Sequence, residues 1–241
     1  MWLQVTRFQF YANRHTMIIK FYAIFVFSTI LSLISALDSL SQTASHQLLI
    51  KTSKGDMKCI LYEQTPMHTD NFIYLINKGT YNGVLFHRVI KDFMIQSGDP
   101  DSKNAVKGDF LGRGGPDYTI PAEFHPDLYH KKGALAAARQ GDKTNPNRES
   151  NGSQFYIVQG EVFSDEQLDQ MENSGTHIEF TAEQRMFYKS LGGTPHLDYA
   201  YTVFGEVIEG MDVIDAIAAE PTDERDRPLE DVKIITITIL K

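Results

Sequence analysis

The chain has 241 residues, a formal net charge of −8 and a single cysteine, Cys59. That length can bury a full core, and a β-barrel of about 200 residues can be one domain. The acidic balance makes nucleic acid a poor partner, and one cysteine excludes an intrachain disulfide or a cysteine zinc site.

Residues 21–37 are apolar and uncharged, Arg7, Arg14 and Lys20 precede them, and no acidic residue appears before Asp38. A basic flank followed by an apolar core is the layout of a secretory leader. The run falls a little short of the ~20 residues that a membrane span prefers. Ser35-Ala36 offers small residues for cleavage beside a less suitable Ile34. Residues 1–37 are therefore expected to be a signal peptide or a retained signal anchor. Met17 is an alternative start that keeps a compact basic lead-in, and 38–46 reads as a polar linker.

Residues 48–52 and 57–62 are β-like runs around the turn cluster Ser53-Lys54-Gly55-Asp56, a predicted hairpin. Cys59 lies in the second run, where a buried, inert thiol is expected. After Pro66, Phe72, Leu75 and Ile76 recur at helical spacing and Gly79 provides a stop. Residues 86–90 and 93–97 are two apolar runs broken at Lys91-Asp92, a second hairpin. Side chains alternate along a strand, so Arg88, Met94 and Gln96 can form one patch. A guanidinium on an otherwise apolar surface needs a reason, because unpaired buried charge is costly.

Residues 101–119, with Gly112-Arg113-Gly114-Gly115-Pro116 at the centre, read as a long loop. These glycines do not follow a strand and open a helix, so a phosphate cradle is a weak reading. Residues 133–139 are rich in alanine, for which a helix is the default. Residues 140–151 read as a polar loop. Ser164-Asp165-Glu166-Gln167 and Thr181-Ala182-Glu183-Gln184 both fit the capping box that starts a helix. Residues 210–220 read as an amphipathic helix and 232–240 as a half-buried strand. The eight histidines show no paired helical spacing for a metal. Ser153 with His87 and an Asp suggests a triad, but Ser153 has no nucleophile-elbow context and reads as an ordinary hydroxyl before a strand; the sequon Asn151-Gly152-Ser153 reads as an accidental match.

Four segments carry a resemblance. They are Phe86-His87-Arg88-Val89-Ile90, Phe93-Met94-Ile95-Gln96-Ser97-Gly98-Asp99, Asn151-Gly152-Ser153-Gln154-Phe155-Tyr156-Ile157 and Val203-Phe204-Gly205-Glu206-Val207. In this order the chain resembles the cyclophilins, the cyclosporin-binding peptidyl-prolyl isomerases, over residues 47–241. The resemblance implies a mainly β fold: a closed eight-stranded antiparallel β-barrel capped by helices. It makes 133–139 a strand whose small residues leave a groove on the outer wall. Against the compact cyclophilins, about 161–196 is an inserted helical pair.

The resemblance also implies an activity, cis-trans isomerisation of X–Pro bonds in unfolded or flexible segments, with no metal and no cofactor. The expected partners are proline-containing polypeptides and the expected state is a monomer; the leader, not the resemblance, predicts a place outside the cytoplasm, periplasmic or secreted, with membrane contact only if the leader is uncleaved. A folding-assistance or chaperone role follows. The alternative is a proline-peptide-binding module without turnover. By the resemblance, Arg88 and Gln96 are catalytic. Phe93, Met94, Tyr156 and Leu197 hold the proline ring, Ala138 and Arg139 form the strand edge for the preceding residues, and Gln154 supports Arg88 or the peptide. His196 and Tyr201 complete the substrate site.

Some positions depart from the family's usual residues. Tyr156 stands where Phe is usual and its hydroxyl needs a partner. Tyr201 replaces a histidine. Arg139 replaces an asparagine, which predicts a preference for acidic residues before proline. His196 replaces the tryptophan tied to strong cyclosporin binding, so weak drug binding is expected.

Overall fold

The computed structural model describes residues 44–175 and 179–240. The expected leader at 1–37, the alternative start at Met17 and residues 38–43 of the expected linker lie outside the described residues, while residues 44–46 belong to a strand rather than to a linker. Among those described, no helix is long and apolar enough to cross a membrane.

The first hairpin pairs β1 (Ala44–Thr52) with β2 (Gly55–Tyr62), and Thr52 Oγ1 donates to the Gly55 carbonyl at 2.7 Å to close the turn. Helix α1 (Pro66–Asn77) has its proline in the first turn, where the missing N–H costs nothing. Gly79 then takes φ +66°, a left-handed conformation that suits glycine and ends the helix. The second hairpin joins β3 (Arg88–Ile90) to β4 (Met94–Ser97) as expected, with Arg88 opposite Gln96 and Ile90 opposite Met94. Short strands β5 (Thr119–Ile120) and β7 (Ser150–Asn151) pair with each other.

The alanine-rich run is a strand, β6 (Ala134–Ala137), not the helix that alanine prefers alone. It lies between β8 (Phe155–Val158) and β9 (Val203–Glu209), and burial on both faces overrides propensity. Helices α2 (Asp165–Asn173) and α3 (Ala182–Ser190) both begin at the predicted capping boxes. Ser164 and Gln167 exchange bonds with each other's backbone N–H, as do Thr181 and Gln184. Helix α4 (Met211–Ala218) and β10 (Ile234–Leu240) complete the chain.

The main sheet has eight antiparallel strands in the order β10-β1-β2-β9-β6-β8-β4-β3. It is an open half-barrel, which corrects the expectation of a closed one. Edge strands β3 and β10 do not pair. Instead the segment before β3 is tied to the start of β10: Gly83 N–H donates to Ile234 O, Ile234 N–H to Val84 O, and Phe86 N–H to Val232 O, at 2.8–2.9 Å. β3 is only three residues long and Arg88 and Ile90 are half-exposed, so little ladder is available there.

The two faces of the sheet carry separate apolar clusters. The inner one takes Leu48, Ile50, Met57, Cys59, Ile95, Leu135, Phe155, Ile157 and Phe204, with α1 and α4 adding Phe72, Ile214 and Ile217. Phe72 packs on Phe155 and Phe204 with ring centroids 5.2 Å apart. The outer one takes Ile60, Met94, Ala134, Ala136, Tyr156 and Val203, with Phe93, Leu197 and Tyr201 packed against it. Cys59 is buried, and burial, aided by the Glu206 charge, pushes its thiol up to about 12, so it is inert. A third cluster, Tyr129, Leu168, Phe180 and Tyr188, packs the α2–α3 pair against the segment before β6.

His87 is buried beside the second hairpin, and neither ring nitrogen has a hydrogen-bond partner in the protein. Burial lowers its pKa from the ordinary 6.5 to about 4, with the Asp99 charge offsetting part of the shift. The unfolded chain therefore binds a proton near pH 6.5 that the folded one refuses until about pH 4. Stability is complete above pH 6.5 and falls as the pH drops toward 4. Urea midpoints at pH 7.5 and 4.5 should show about 2–3 kcal/mol more loss for the wild type than for His87→Phe. Parallel losses in the two proteins would remove His87 as the cause.

Candidate functional site

On the outer face, β3, β4, β6 and β8 surround a cavity of about 90 Å³. From the second hairpin come Arg88, Phe93, Met94 and Gln96, side by side because of the register. From β8 comes Tyr156, opposite Gln96, and from the end of β6 come Ala138 and Arg139. The segment before β9 supplies Leu197 and Tyr201. Nine of the residues expected from the sequence thus line one hollow. Its depth follows from the alanines: Ala134, Ala136 and Ala138 share the outer face of β6, where longer side chains would fill it.

Arg88 stands at the rim with its side chain 44% exposed. Its Nε donates to Asp226 Oδ2 at 3.4 Å, a long and half-exposed contact that leaves the Nη groups uncommitted. Asp226 is held by its own backbone, whose carbonyl accepts from Val89 N–H at 2.7 Å. The walls are apolar: Met94 and Tyr156 are buried, and the Tyr201 ring meets Tyr156 edge-on at 5.8 Å. The Tyr156 hydroxyl finds its partner in His130 Nε2, at 3.0 Å. Burial holds that phenol's pKa well above its ordinary value, so it stays protonated.

Two expected residues lie elsewhere. Gln154 lines an adjacent, larger cavity of about 550 Å³, together with Arg113, Thr119, Thr144, Asn145 and Glu149. Its Oε1 accepts from Gln96 Nε2 at 3.1 Å and its Nε2 donates to Gly114 O at 2.7 Å. It therefore orients Gln96 and ties down the glycine-rich loop; Arg88 is not its partner. Asp99 anchors the same loop, accepting from Gly112 N–H at 2.5 Å. Gln96, Ala138 and Arg139 line both cavities. His196 is not in the lining of either. It stacks on Phe93 at 5.7 Å, supporting that ring from outside the hollow.

Arg139 lines the hollow but its charge is spent. Its Nε donates to Ala200 O at 2.7 Å, Nη1 pairs with Asp142 Oδ1 at 2.6 Å, and its plane lies over the Tyr201 ring at 4.4 Å. With the side chain 4% exposed, it is a structural arginine. This removes the basis for a preference for acidic residues before proline.

Triad connectivity does occur, though at other residues than Ser153 and His87. His68 Nδ1 lies 2.6 Å from Glu123 Oε2 and its Nε2 2.9 Å from Ser150 Oγ. Burial raises the Glu123 pKa, but bonds from the His68 ring and from the His68 and Met67 N–H groups outweigh it and hold the carboxyl below its ordinary range. His68 and Ser150 are buried, and the hollow beside His68 is about 10 Å³. That is the size of one water molecule and admits no substrate. The chain fastens the start of α1 to β7. Ser153 Oγ donates instead to Gly98 O at 2.8 Å, and Asn151 Oδ1 accepts from the Ser153 and Gln154 N–H groups.

The family model for the cyclophilin type peptidyl-prolyl cis-trans isomerase/CLD domain matches residues 47–239. The chain belongs to this family. A protein of Staphylococcus saprophyticus named as a peptidyl-prolyl cis-trans isomerase is 37% identical over 196 residues, 81% of this chain and 92% of the relative. One of Staphylococcus aureus with the same name is 35% identical over 199 residues, 82% of this chain and 93% of the relative. A Cryptosporidium parvum cyclophilin-type isomerase, crystallised in the presence of the dipeptide Ala-Pro, superposes with a TM-score of 0.57 at 27% identity. That match covers 81% of this chain and 99% of that one.

Of the residues around the hollow, Asp226, His130 and the Gly114 carbonyl have no signal in the sequence, since each acts through a partner far away along the chain. The committed Arg139 leads to a measurable expectation. The ratio of kcat/KM for a Glu-Pro over an Ala-Pro peptide should stay within about threefold, as expected for a screened or neutralised charge. A tenfold preference for Glu would mean that Arg139 leaves Asp142 when substrate binds.

Proposed function

We propose that Arg88 catalyses rotation about X–Pro bonds in flexible polypeptide segments, with the proline ring seated against Phe93, Met94, Tyr156 and Leu197. The observation that carries this reading is the half-exposed guanidinium at the rim of an apolar hollow. Amide resonance sets a rotational barrier of about 18–20 kcal/mol, while cis and trans X–Pro differ by only about 0.5–1 kcal/mol. The catalyst therefore has to favour the twisted state and need not shift the equilibrium. In the twisted imide the nitrogen regains its lone pair. A donor aimed at that nitrogen binds the transition state better than the planar ground state. Arg88 is always charged and presents several donors in a fixed fork. The apolar walls hold the ring while the preceding carbonyl turns. Gln96, oriented by Gln154, is placed to bond the substrate backbone. That the Cryptosporidium relative was crystallised in the presence of the dipeptide Ala-Pro supports a proline-containing ligand here.

The alternative is a module that binds proline peptides without turning them over. Exchange NMR on a short Ala-Pro peptide, with Arg88→Ala as the comparison, separates the two. Losing a charge-assisted bond made only in the transition state should lower kcat/KM about 10- to 100-fold while the peptide still binds. Wild-type protein no faster than Arg88→Ala would leave the binding module.

We further place this activity in the folding of proteins outside the cytoplasm, on the basic flank and apolar run of residues 1–37. N-terminal sequencing of the expressed full chain is expected to find protein beginning near Leu37 in the exported fraction. Full-length protein confined to the cytosol would reject export.

A further inference from the structure

The inserted helices reach the proposed proline pocket through one file of buried polar groups. Tyr188, on α3, donates its hydroxyl to Asp198 Oδ2 at 2.6 Å. Asp198 Oδ1 accepts from the His130 backbone N–H and lies 2.8 Å from His130 Nδ1. His130 Nε2 is 3.0 Å from the Tyr156 hydroxyl, with the two rings within 14° of parallel. A carboxylate only accepts, which puts a proton on Nδ1, and in the neutral imidazole Nε2 then accepts from Tyr156. His130 and Tyr188 are fully buried, and the Asp198 side chain is 2% exposed.

Each link is also held from the side. Tyr188 sits in the insertion's own core, edge-on to Phe180 at 5.7 Å and Phe163 at 6.3 Å, and its carbonyl accepts from Phe163 N–H at 3.0 Å. The His130 carbonyl accepts from Thr194 N–H at 2.8 Å, which docks the turn Pro195–Leu197 onto the same residue. The file therefore touches two parts of the hollow. It ends on Tyr156, and Asp198 directly follows Leu197.

We propose that the α2–α3 insertion sets the shape of the proline pocket, with Tyr188, Asp198 and His130 acting as positioning residues for Tyr156 and Leu197. The physical reason is that a ring packed only by apolar contacts can tilt, whereas a ring bonded at its far end to a fixed partner keeps its height. The hydroxyl of Tyr156 thereby turns the insertion's rigidity into the depth of the hollow. None of the three positioning residues lines the cavity or reaches Arg88. Their effect is on how well proline is held, equally in ground and transition states, and so falls on KM. The inference rests on the proline pocket proposed above.

The test is a cycle of Tyr188→Phe, Tyr156→Phe and the double variant, with KM and kcat measured on an Ala-Pro peptide. Tyr188→Phe keeps the ring and removes one oxygen, leaving Asp198 Oδ2 without that donor. It should raise KM about three- to tenfold, with kcat changed less than KM. Because the links are in series, the double variant should be no worse than the more damaging single one. Nitrogen-15 shifts of His130 supply an independent readout: Nε2 should move toward an unbonded value in Tyr156→Phe, and Nδ1 should move in Tyr188→Phe. A Tyr188→Phe protein that is less stable yet keeps the wild-type KM would overturn the proposal, as would KM effects that multiply in the double variant. If the wild type binds the peptide without turning it over, the catalytic reading fails alone, and the same cycle read as peptide Kd decides the positioning role. A double variant that does not fold leaves the decision to KM and the His130 shifts of the single ones.

Discussion

The two-residue period of the β-strand is the constraint on which the molecule depends. On β8, Phe155 and Ile157 enter the inner core while Tyr156 and Val158 face outward. On β4, Ile95 points in while Met94 and Gln96 point out. One set of strands therefore builds the core and the walls of the outer hollow at once. A slip of one residue in any of these pairings would exchange the two sets. The register is fixed twice over, by aromatic packing around Phe72 on the inside and by the paired hairpin on the outside. Gly98, at φ +91°, lets the chain leave β4 against the backbone of Ser153, where any side chain would collide. The precision of the site is thus inherited from the core behind it.

What was legible in the sequence is what is local. The capping boxes at Ser164 and Thr181 need only residues three apart, and both form as expected. The hairpin around Lys91-Asp92 needs only a polar break between apolar runs, and its register follows. The alanines of β6 could not be placed by composition, because their conformation is decided by strands far away along the chain. Closure of the barrel was misjudged for the same reason: the edges are joined by backbone bonds of the loop before β3, which side-chain patterns do not report. Gln154 illustrates the limit within the site. Its position was read from the motif, but its choice of Gln96 and Gly114 as partners depends on where the glycine-rich loop folds back. The file from Tyr188 to Tyr156 was invisible, since His130 and Asp198 are 68 residues apart and carry no pattern of their own.

Three arginines differ in a way that residue type cannot convey. Arg227 is buried, donating to Val106 O and Asp231 at 3.0 Å. Arg139 is buried and bound to Ala200 O and Asp142. In both, the surrounding loop supplies the acceptors that make a buried cation tolerable. Those acceptors also cancel the charge for any other purpose. Arg88 is the converse. Water covers nearly half of its side chain, and Asp226 meets it at one nitrogen through a long, solvent-screened contact. A cation kept permanently dry beside a hollow would need a strong counter-ion and would have little left to offer a twisted imide. A cation kept wet costs little until a peptide displaces the water, and then its field acts in a drier medium. The role proposed for Arg88 therefore depends as much on what the loops at 140–149 and 223–231 withhold from it as on the guanidinium itself.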